Sequence, residues 1–367
     1  MIRLLSLAVL LAAGVSLADP SAAQTPLGVA TAPAPDAIGA GRRTAVTDAV
    51  GAASPGVVSI NVIEVRQVRV RNPFADFFGG VPSGVYDQQV QGLGSGFVVS
   101  ADGYIVTNDH VAGNASKITV AFPDGRQLDA RLVGSDPETD IALLKVQSPA
   151  PLPFLAFDPE RDPVVGEWAI ALGNPFGLFE AAEPTVTVGV VSAIRRDFPA
   201  QTGRTFRDLI QTDAAINSGN SGGPLVNAAG RVIGMNTFIY SQNGGSVGLG
   251  FAVPAWRIQR VIEELRATGR VDRSFYTGLN VLRPDAARRL GLDARSGVIV
   301  SSVDRNSPAD RAGVRPYDII VSIGGRPVRT NEDVDFVDNR PGDTVELGLV
   351  RGGAAVAARV VLGTTAG

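Results

Sequence analysis

Gly219-Asn220-Ser221-Gly222-Gly223-Pro224 sets a serine in a run of glycines. A serine hydroxyl is a weak nucleophile; it needs a base to take its proton and hydrogen-bond donors for the oxyanion it creates. Glycine on either side lets the backbone turn tightly enough for two N–H groups to converge beside Ser221. Those of Gly219 and of Ser221 itself are the natural pair. Alone, the stretch reads equally well as an ordinary Gly-rich turn.

The rest of the chain supplies the partners. Its single histidine, His110, lies in Thr107-Asn108-Asp109-His110-Val111, at the end of an alternating strand pattern. Asp140 lies just before the apolar run Ile141-Ala142-Leu143-Leu144. Asp136, beside Pro137, reads as a turn or capping carboxylate. Asp140 abuts the core, where an ionised carboxylate requires partners, and the imidazole of His110 would be one. The order His, Asp, Ser along the chain is that of the chymotrypsin-type arrangement and not the subtilisin or α/β-hydrolase one.

Around these residues the pattern is mostly strand. Val57–Val62, Gly94–Val99, Tyr104–Thr107, the hairpin Ile118–Phe122 with Leu128–Val133, and Ile141–Val146 precede further strands near 168–172, 185–192, 231–237 and 247–253. Residues 66–91 read as a loop-like insertion holding Phe74, Phe77 and Phe78, which suit a local cluster or an intersubunit contact. Many short strands separated by turns predict a sandwich or barrels. One helix follows: between Pro254 and Gly269, residues Ile258, Val261, Ile262 and Leu265 repeat at i, i+3, i+4 and i+7.

Taken together, the chain resembles the HtrA family of serine proteases. The stretches that carry the resemblance are Gly94-Ser95-Gly96-Phe97, Thr107 to Val111, Asp136 to Lys145, Leu172-Gly173-Asn174-Pro175-Phe176-Gly177, and Gln211 to Asn217 leading into Gly219 to Pro224. They run in the family's order from about Val57 to the C-terminus. The resemblance implies a mainly β chain: a chymotrypsin-like double β-barrel protease domain over 44–269, followed by one PDZ domain over 274–367. It implies His110, Asp140 and Ser221 as the catalytic residues and the backbone of Gly219 and Ser221 as the oxyanion hole. No cofactor or metal is implied.

The same resemblance places the specificity pocket. Ala215, six residues before Ser221, would form its base and carries no charge for Lys or Arg. Ile216 and Leu249 would be its apolar walls, with Asn220 also against substrate, so that small apolar side chains such as Val or Ala are favoured before the cut. Thr237 to Ile239 looks like the strand that pairs with substrate backbone, and Phe238 is bulkier than the family's usual residue there. The link Phe179–Pro184 is longer than usual, and 195–208 falls where the family has a loop sensing the neighbouring domain. In the PDZ-like region, Tyr276, Thr277, Gly278 and Leu279 look like the loop that captures a peptide carboxylate through backbone N–H groups. A helix facing that groove is expected near 332–339 with Val334 and Val337 inward. Arg315-Pro316-Tyr317-Asp318 stands where the family has Gly-Asp.

Composition agrees with this reading and narrows it. Hydrophobic residues make up 45% and charged residues 19% of the 367, enough for a core, while Gly 43 and Pro 24 suit turns. A net charge of −3 advertises no nucleic-acid partner. The absence of cysteine removes disulfides and thiolate chemistry, and a single histidine excludes a multi-histidine metal site. Met1-Ile2-Arg3 before the short apolar stretch Leu4–Ala18 reads as a secretory signal over 1–23, with a retained inner-membrane anchor as the alternative; 24–43 reads as a linker. The expectation is therefore a periplasmic serine endopeptidase acting on misfolded or exposed protein segments. Peptide C-termini at the PDZ groove and a homotrimer would be its other partners. A non-catalytic peptide-binding chaperone or scaffold is the rival.

Overall fold

The computed structural model describes residues 41–70, 84–174, 183–199, 205–217, 219–239, 246–283 and 297–364. The signal and linker segments apart from residues 41–43, the aromatic run Phe74–Phe78 and all of the 179–184 link except Glu183 and Pro184 lie outside the described residues. Thr44–Gly367 forms one compact unit.

A continuous apolar run in a strand needs a hydrophobic environment on both faces, and β6 (Ile141–Val146) shows how this chain provides it. Ala142, Leu144 and Val146 fill the interior of a first barrel. Ile141 and Leu143 point the other way, into a core shared with a second barrel. The first barrel closes in the order β1-β2-β3-β6-β5-β4, with β1 Val57–Val70, β2 Gly84–Val98, β3 Tyr104–Thr107, β4 Lys117–Ala121 and β5 Gln127–Asp136. The second closes as β10-β11-β12-β9-β8-β7, with β7 Trp168–Gly173, β8 Thr185–Pro199, β9 Thr205–Thr212, β10 Pro224–Val226, β11 Val232–Ile239 and β12 Gly250–Pro254. On β7 the same alternation sends Ala169 and Ala171 inside its own barrel and Ile170 and Leu172 to the shared core.

Two stretches read as loops are strands. β1 and β2 continue as a paired arm out to Val70 opposite Gly84, so that 66–70 and 84–91 of the expected insertion 66–91 are strand. Residues 195–208 lie largely on β8 and β9, with Arg195 and Asp208 at positive φ and register shifts between the strands.

Short helices close the unit. α1 (Ala45–Ala53) is capped by Thr44 and buries Ala49 and Ala53, and α2 is the single turn Asp109–Ala112. α3 (Ala255–Thr268) follows the expected pattern: Pro254 is its N-cap, and Gly269, at φ 74, closes it by donating to the Leu265 carbonyl. Ile258, Val261 and Leu265 are buried in the shared core, each stabilising by about 1.5–3 kcal/mol relative to exposure.

The C-terminal region is a sheet in the order β14-β15-β16-β18-β19, with β17 against β16 and a separate β13–β20 pair. The strands are β13 Phe275–Tyr276, β14 Leu279–Val281, β15 Val298–Val303, β16 Ile319–Ile323, β17 Arg326–Pro327, β18 Thr344–Arg351, β19 Ala354–Val361 and β20 Gly363–Thr364. One helical turn, α4 (Pro308–Arg311), is capped by Ser307. Tyr317, where the family pattern has glycine, takes the left-handed backbone at φ 71. Asp318 beside it is buried and receives Nε and Nη2 of Arg351 at 2.7 and 2.8 Å.

The helix expected near 332–339 is not there. A 3₁₀ turn covers Asn331–Asp333, and the chain then runs irregularly. Its acidic side chains are engaged elsewhere: Asp335 bonds the Val337 N–H, a local bond that competes with helix. Arg207 reaches Asp333 and Asp335, Arg257 reaches both oxygens of Asp338 at 2.6 Å, and Arg273 donates to the Val337 carbonyl at 3.0 Å. Val334 packs on the sheet's core as expected, but Phe336, not Val337, joins it. Asp136, read as a turn carboxylate, is buried and paired with Arg273 through both oxygens, so it joins the first barrel to the segment between the two regions. Among the described residues no helix is long and apolar enough to cross a membrane.

Candidate active site

His110 enters on α2 directly after β3, and Asp140 sits in the turn between β5 and β6. Asp140 adopts φ 59, a conformation that costs a non-glycine residue energy unless its surroundings hold it. Three contacts do so. Its Oδ1 accepts the backbone N–H of His110 at 3.0 Å, the imidazole Nδ1 lies 2.9 Å from Oδ2, and the Asn108 amide donates to its carbonyl at 3.0 Å. The Asp140 side chain is 4% exposed and that of His110 50% exposed. The carboxylate thus orients the ring from beneath, and the ring reaches the surface.

Ser221 is presented by the second barrel. Gly222, at φ 85, donates its N–H to the Asn236 carbonyl at 2.8 Å, and Asn236 returns a bond to the Gly223 carbonyl at 2.9 Å. A Cβ on Gly222 would strike the Ser95 carbonyl and the Thr107 hydroxyl, so glycine is required for the turn to lie against the first barrel. Gly219 also has positive φ, at 102. Among the described residues no hydrogen bond takes the N–H of Gly219 or of Ser221, which leaves both as donors. The Ser221 hydroxyl donates to the Thr237 carbonyl at 3.1 Å. The Asn108 amide also donates to the Thr237 hydroxyl at 3.3 Å, which ties the Asp140 turn to β11.

The expected specificity residues divide. The Ala215 carbonyl accepts the Thr187 hydroxyl at 2.7 Å, and Leu249 is half-buried. Ile216 and Asn220 are buried, Ile216 in the interior of the second barrel. The ring of Phe238 stacks among Phe198, Phe206 and Phe251 at centroid distances of 4.9, 4.9 and 5.3 Å, which leaves its backbone for other contacts. In the C-terminal region, Thr277 and Gly278 turn between β13 and β14. Gly278 has φ 69 and a Cβ there would strike Ser307. The Tyr276 hydroxyl donates to Asp304 at 2.5 Å, and the Leu279 N–H bonds the Thr277 hydroxyl at 3.2 Å.

Asn108 and Ser95 stand inside quoted motifs, yet sequence reasoning assigned them no role. Nothing in either motif signals their bonds to the opposite barrel. Among the described residues no group of three or more His, Cys, Asp or Glu is placed to hold a metal ion.

Comparison with known proteins places these features in context. The trypsin-like peptidase domain profile matches residues 94–235, and the PDZ domain profile matches residues 280–362. A probable periplasmic serine endoprotease, DegP-like, of Hahella chejuensis is 38% identical over 84% of this chain and 68% of its own length. Similarly named proteins of Ectopseudomonas mendocina and Chlamydia trachomatis are 40% and 43% identical over 76% and 78% of this chain. The chain spans 57% and 59% of those two relatives. Among solved structures, an HtrA-type protease AlgW with decapeptide is 35% identical, at a TM-score of 0.63, covering 89% of this chain and 100% of that one. A serine endoprotease from Yersinia pestis is 32% identical, at a TM-score of 0.54, covering 88% and 99%.

Proposed function

The chain belongs to the HtrA family of serine proteases, and from that membership we propose that it is a periplasmic endopeptidase that cleaves misfolded or exposed protein segments and is regulated through its PDZ domain. The protease domain is assigned to 44–269 and the PDZ domain to 274–367, after a signal over 1–23 and a linker over 24–43. The observation that carries the reading is the pairing of the chain's one histidine with the buried carboxylate of Asp140, beside the turn that presents Ser221.

In the proposed reaction Ser221 Oγ attacks the peptide carbonyl as its proton passes to Nε2 of His110. Asp140 keeps the other ring proton on Nδ1 and stabilises the imidazolium. The new oxyanion takes the N–H groups of Gly219 and Ser221. Collapse breaks the C–N bond, the leaving amine receives the proton from His110, and water cleaves the acyl ester by the same route. Ala215, Ile216 and Leu249 are assigned to the apolar pocket, and Asn220 to contact with substrate. Thr237 and Phe238 are assigned to backbone pairing with substrate. Tyr276, Thr277, Gly278 and Leu279 are assigned to a peptide carboxylate.

Regulation through the PDZ domain is supported by Arg207, which joins β9 to Asp333 and Asp335. A homotrimer is the assembly that the family resemblance implies; Trp168 on β7 and Val188 on β8 expose apolar surface that a contact between copies would cover. The test is cleavage of unfolded β-casein by the mature chain beside Ser221→Ala, with and without a peptide bearing an apolar C-terminus. Cleavage by the wild type alone, stimulated by the peptide, is expected. Intact casein under every condition would favour a binding-only scaffold.

A further inference from the structure

We propose that Ser95 is a positioning residue for acylation: its buried hydroxyl fixes the Gly219 carbonyl and with it the turn that carries the oxyanion donors. The inference rests on the reading of Ser221 as nucleophile.

Ser95 is fully buried on β2, directly opposite Ser59 on β1. β3 pairs with β2 only at Phe97 and Val98, so the edge of β2 at Ser95 is left for the second barrel. All of its polar atoms are engaged there or beside it. The N–H donates to the Ser221 carbonyl at 2.9 Å, and the carbonyl accepts the Thr107 hydroxyl at 2.7 Å. The hydroxyl accepts the Asn174 N–H at 2.8 Å and donates to the Gly219 carbonyl at 2.5 Å.

A hydroxyl has one proton to give. The Asn174 N–H occupies an acceptor site of Ser95 Oγ, and its proton points at Gly219. Two peptide units are thereby held from the first barrel: the one after Gly219 by the hydroxyl, and the one after Ser221 by the N–H. The unit between them carries the Ser221 N–H; its Asn220 carbonyl accepts the Gly223 N–H at 3.0 Å, and its orientation follows from that bond together with its anchored neighbours. As a glycine, Gly219 has backbone freedom that a side chain would restrict, and the bond to Ser95 limits it. Charge grows on the substrate oxygen only in the transition state, and donors held in advance stabilise it without reorganising. The hold should therefore act on kcat and leave substrate affinity alone.

Ser59 supplies a matched control. It is equally buried and donates to the carbonyl of the same Asn174. Among the described residues it makes no hydrogen bond to the turn at 219–221.

The full chain would be assayed on an internally quenched peptide with Val before the cut, as wild type, Ser95→Ala, Ser95→Cys, Ser59→Ala and Ser221→Ala. Ser95→Ala is expected to lower kcat by about ten- to hundred-fold with KM within about threefold. Inhibition by a peptidyl valine boronic acid, which forms a tetrahedral adduct on Ser221, should weaken by the same factor, and inhibition by the product peptide should not. Ser95→Cys, retaining a weak donor, should fall between Ala and wild type, and it carries the test if Ser95→Ala shows no cooperative melt. Ser59→Ala should lower Tm comparably with kcat within about threefold. Wild-type kcat in Ser95→Ala, or equal losses of kcat in Ser95→Ala and Ser59→Ala, overturns the positioning role. A wild-type chain that leaves the peptide intact overturns the nucleophile reading first, and the positioning role with it.

Discussion

The hydroxyl of Ser221 donates to the carbonyl oxygen of Thr237 at 3.1 Å. Thr237 lies on β11, the strand proposed to pair with substrate, so the proposed nucleophile holds the acceptor that a substrate backbone N–H would seek. A bound peptide can displace the hydroxyl and turn it toward His110. Methylating the amide nitrogen of the residue before the scissile bond removes that donor. The methylated peptide should lose about tenfold in kcat, beyond any change in KM, in steady-state assays.

Asp140 accepts both the ring and the backbone N–H of His110 while almost fully buried. Asp140→Asn keeps the shape but presents a donor to Nδ1, favouring the wrong tautomer. A fall in kcat of about 10³–10⁴-fold with little change in Tm is expected from peptide hydrolysis and calorimetry.

Gly222 combines positive φ with a Cβ direction aimed at the Ser95 carbonyl. Gly222→Ala must move the turn away from the first barrel. It should abolish peptide cleavage and lower stability by about 2 kcal/mol or more in urea unfolding.

Arg273 and Asp136 form a bidentate pair in which the carboxylate is 3% exposed. Removing the arginine alone leaves a buried charge without its partner. Arg273→Ala should cost about 3 kcal/mol at neutral pH, and adding Asp136→Asn should recover part of it in denaturant titrations.

Two facing carboxyls make opposite contributions to stability as pH changes. Burial pushes the Asp208 carboxyl above its ordinary value, against the pull of Arg257, with Asp338 and Asp162 adding to the rise and Arg326 opposing it. Burial would also raise Asp338, but Arg257, Arg326 and Arg340 outweigh it and hold that carboxyl low. The folded chain therefore binds the Asp208 proton more tightly than the unfolded chain. That stability is present below the ordinary carboxyl value and is lost as pH rises through the raised one. Asp208→Asn should thus raise Tm at pH 7, with the gain vanishing in acid. Asp338→Asn should lower Tm at pH 7, since its contribution is present above the ordinary value and is lost as pH falls through the depressed one.

Much of the architecture is legible locally. The run Ile141–Val146 and the spacing of Ile258, Val261 and Leu265 reflect burial periods that a strand and a helix impose on their own sequences. The arm of β1 and β2 is not legible. On β1 the apolar alternation slips at Arg66-Gln67, leaving Val65 and Val68 exposed, and on β2 the polar run Asp87, Gln88 and Gln89 carries no strand signal. The segment 332–339 misled for a different reason. Its carboxylates meet arginines from distant parts of the chain, and those bonds outweigh a weak helical tendency.

By itself the sequence pointed to the groups proposed to react: its single histidine, the serine of Gly219-Asn220-Ser221-Gly222-Gly223 and an aspartate at the edge of a core. It also determined a β-rich class and the helix after β12, because side-chain periodicity is a local property. Only the tertiary structure decided where the Ser221 hydroxyl points, that Ser95 and Asn108 join the barrels, and that Asp136 belongs to Arg273. These are hydrogen bonds between residues far apart in sequence, such as Ser95 and Gly219. A buried polar group must find a partner, but which partner lies within about 3 Å is settled by how the barrels pack.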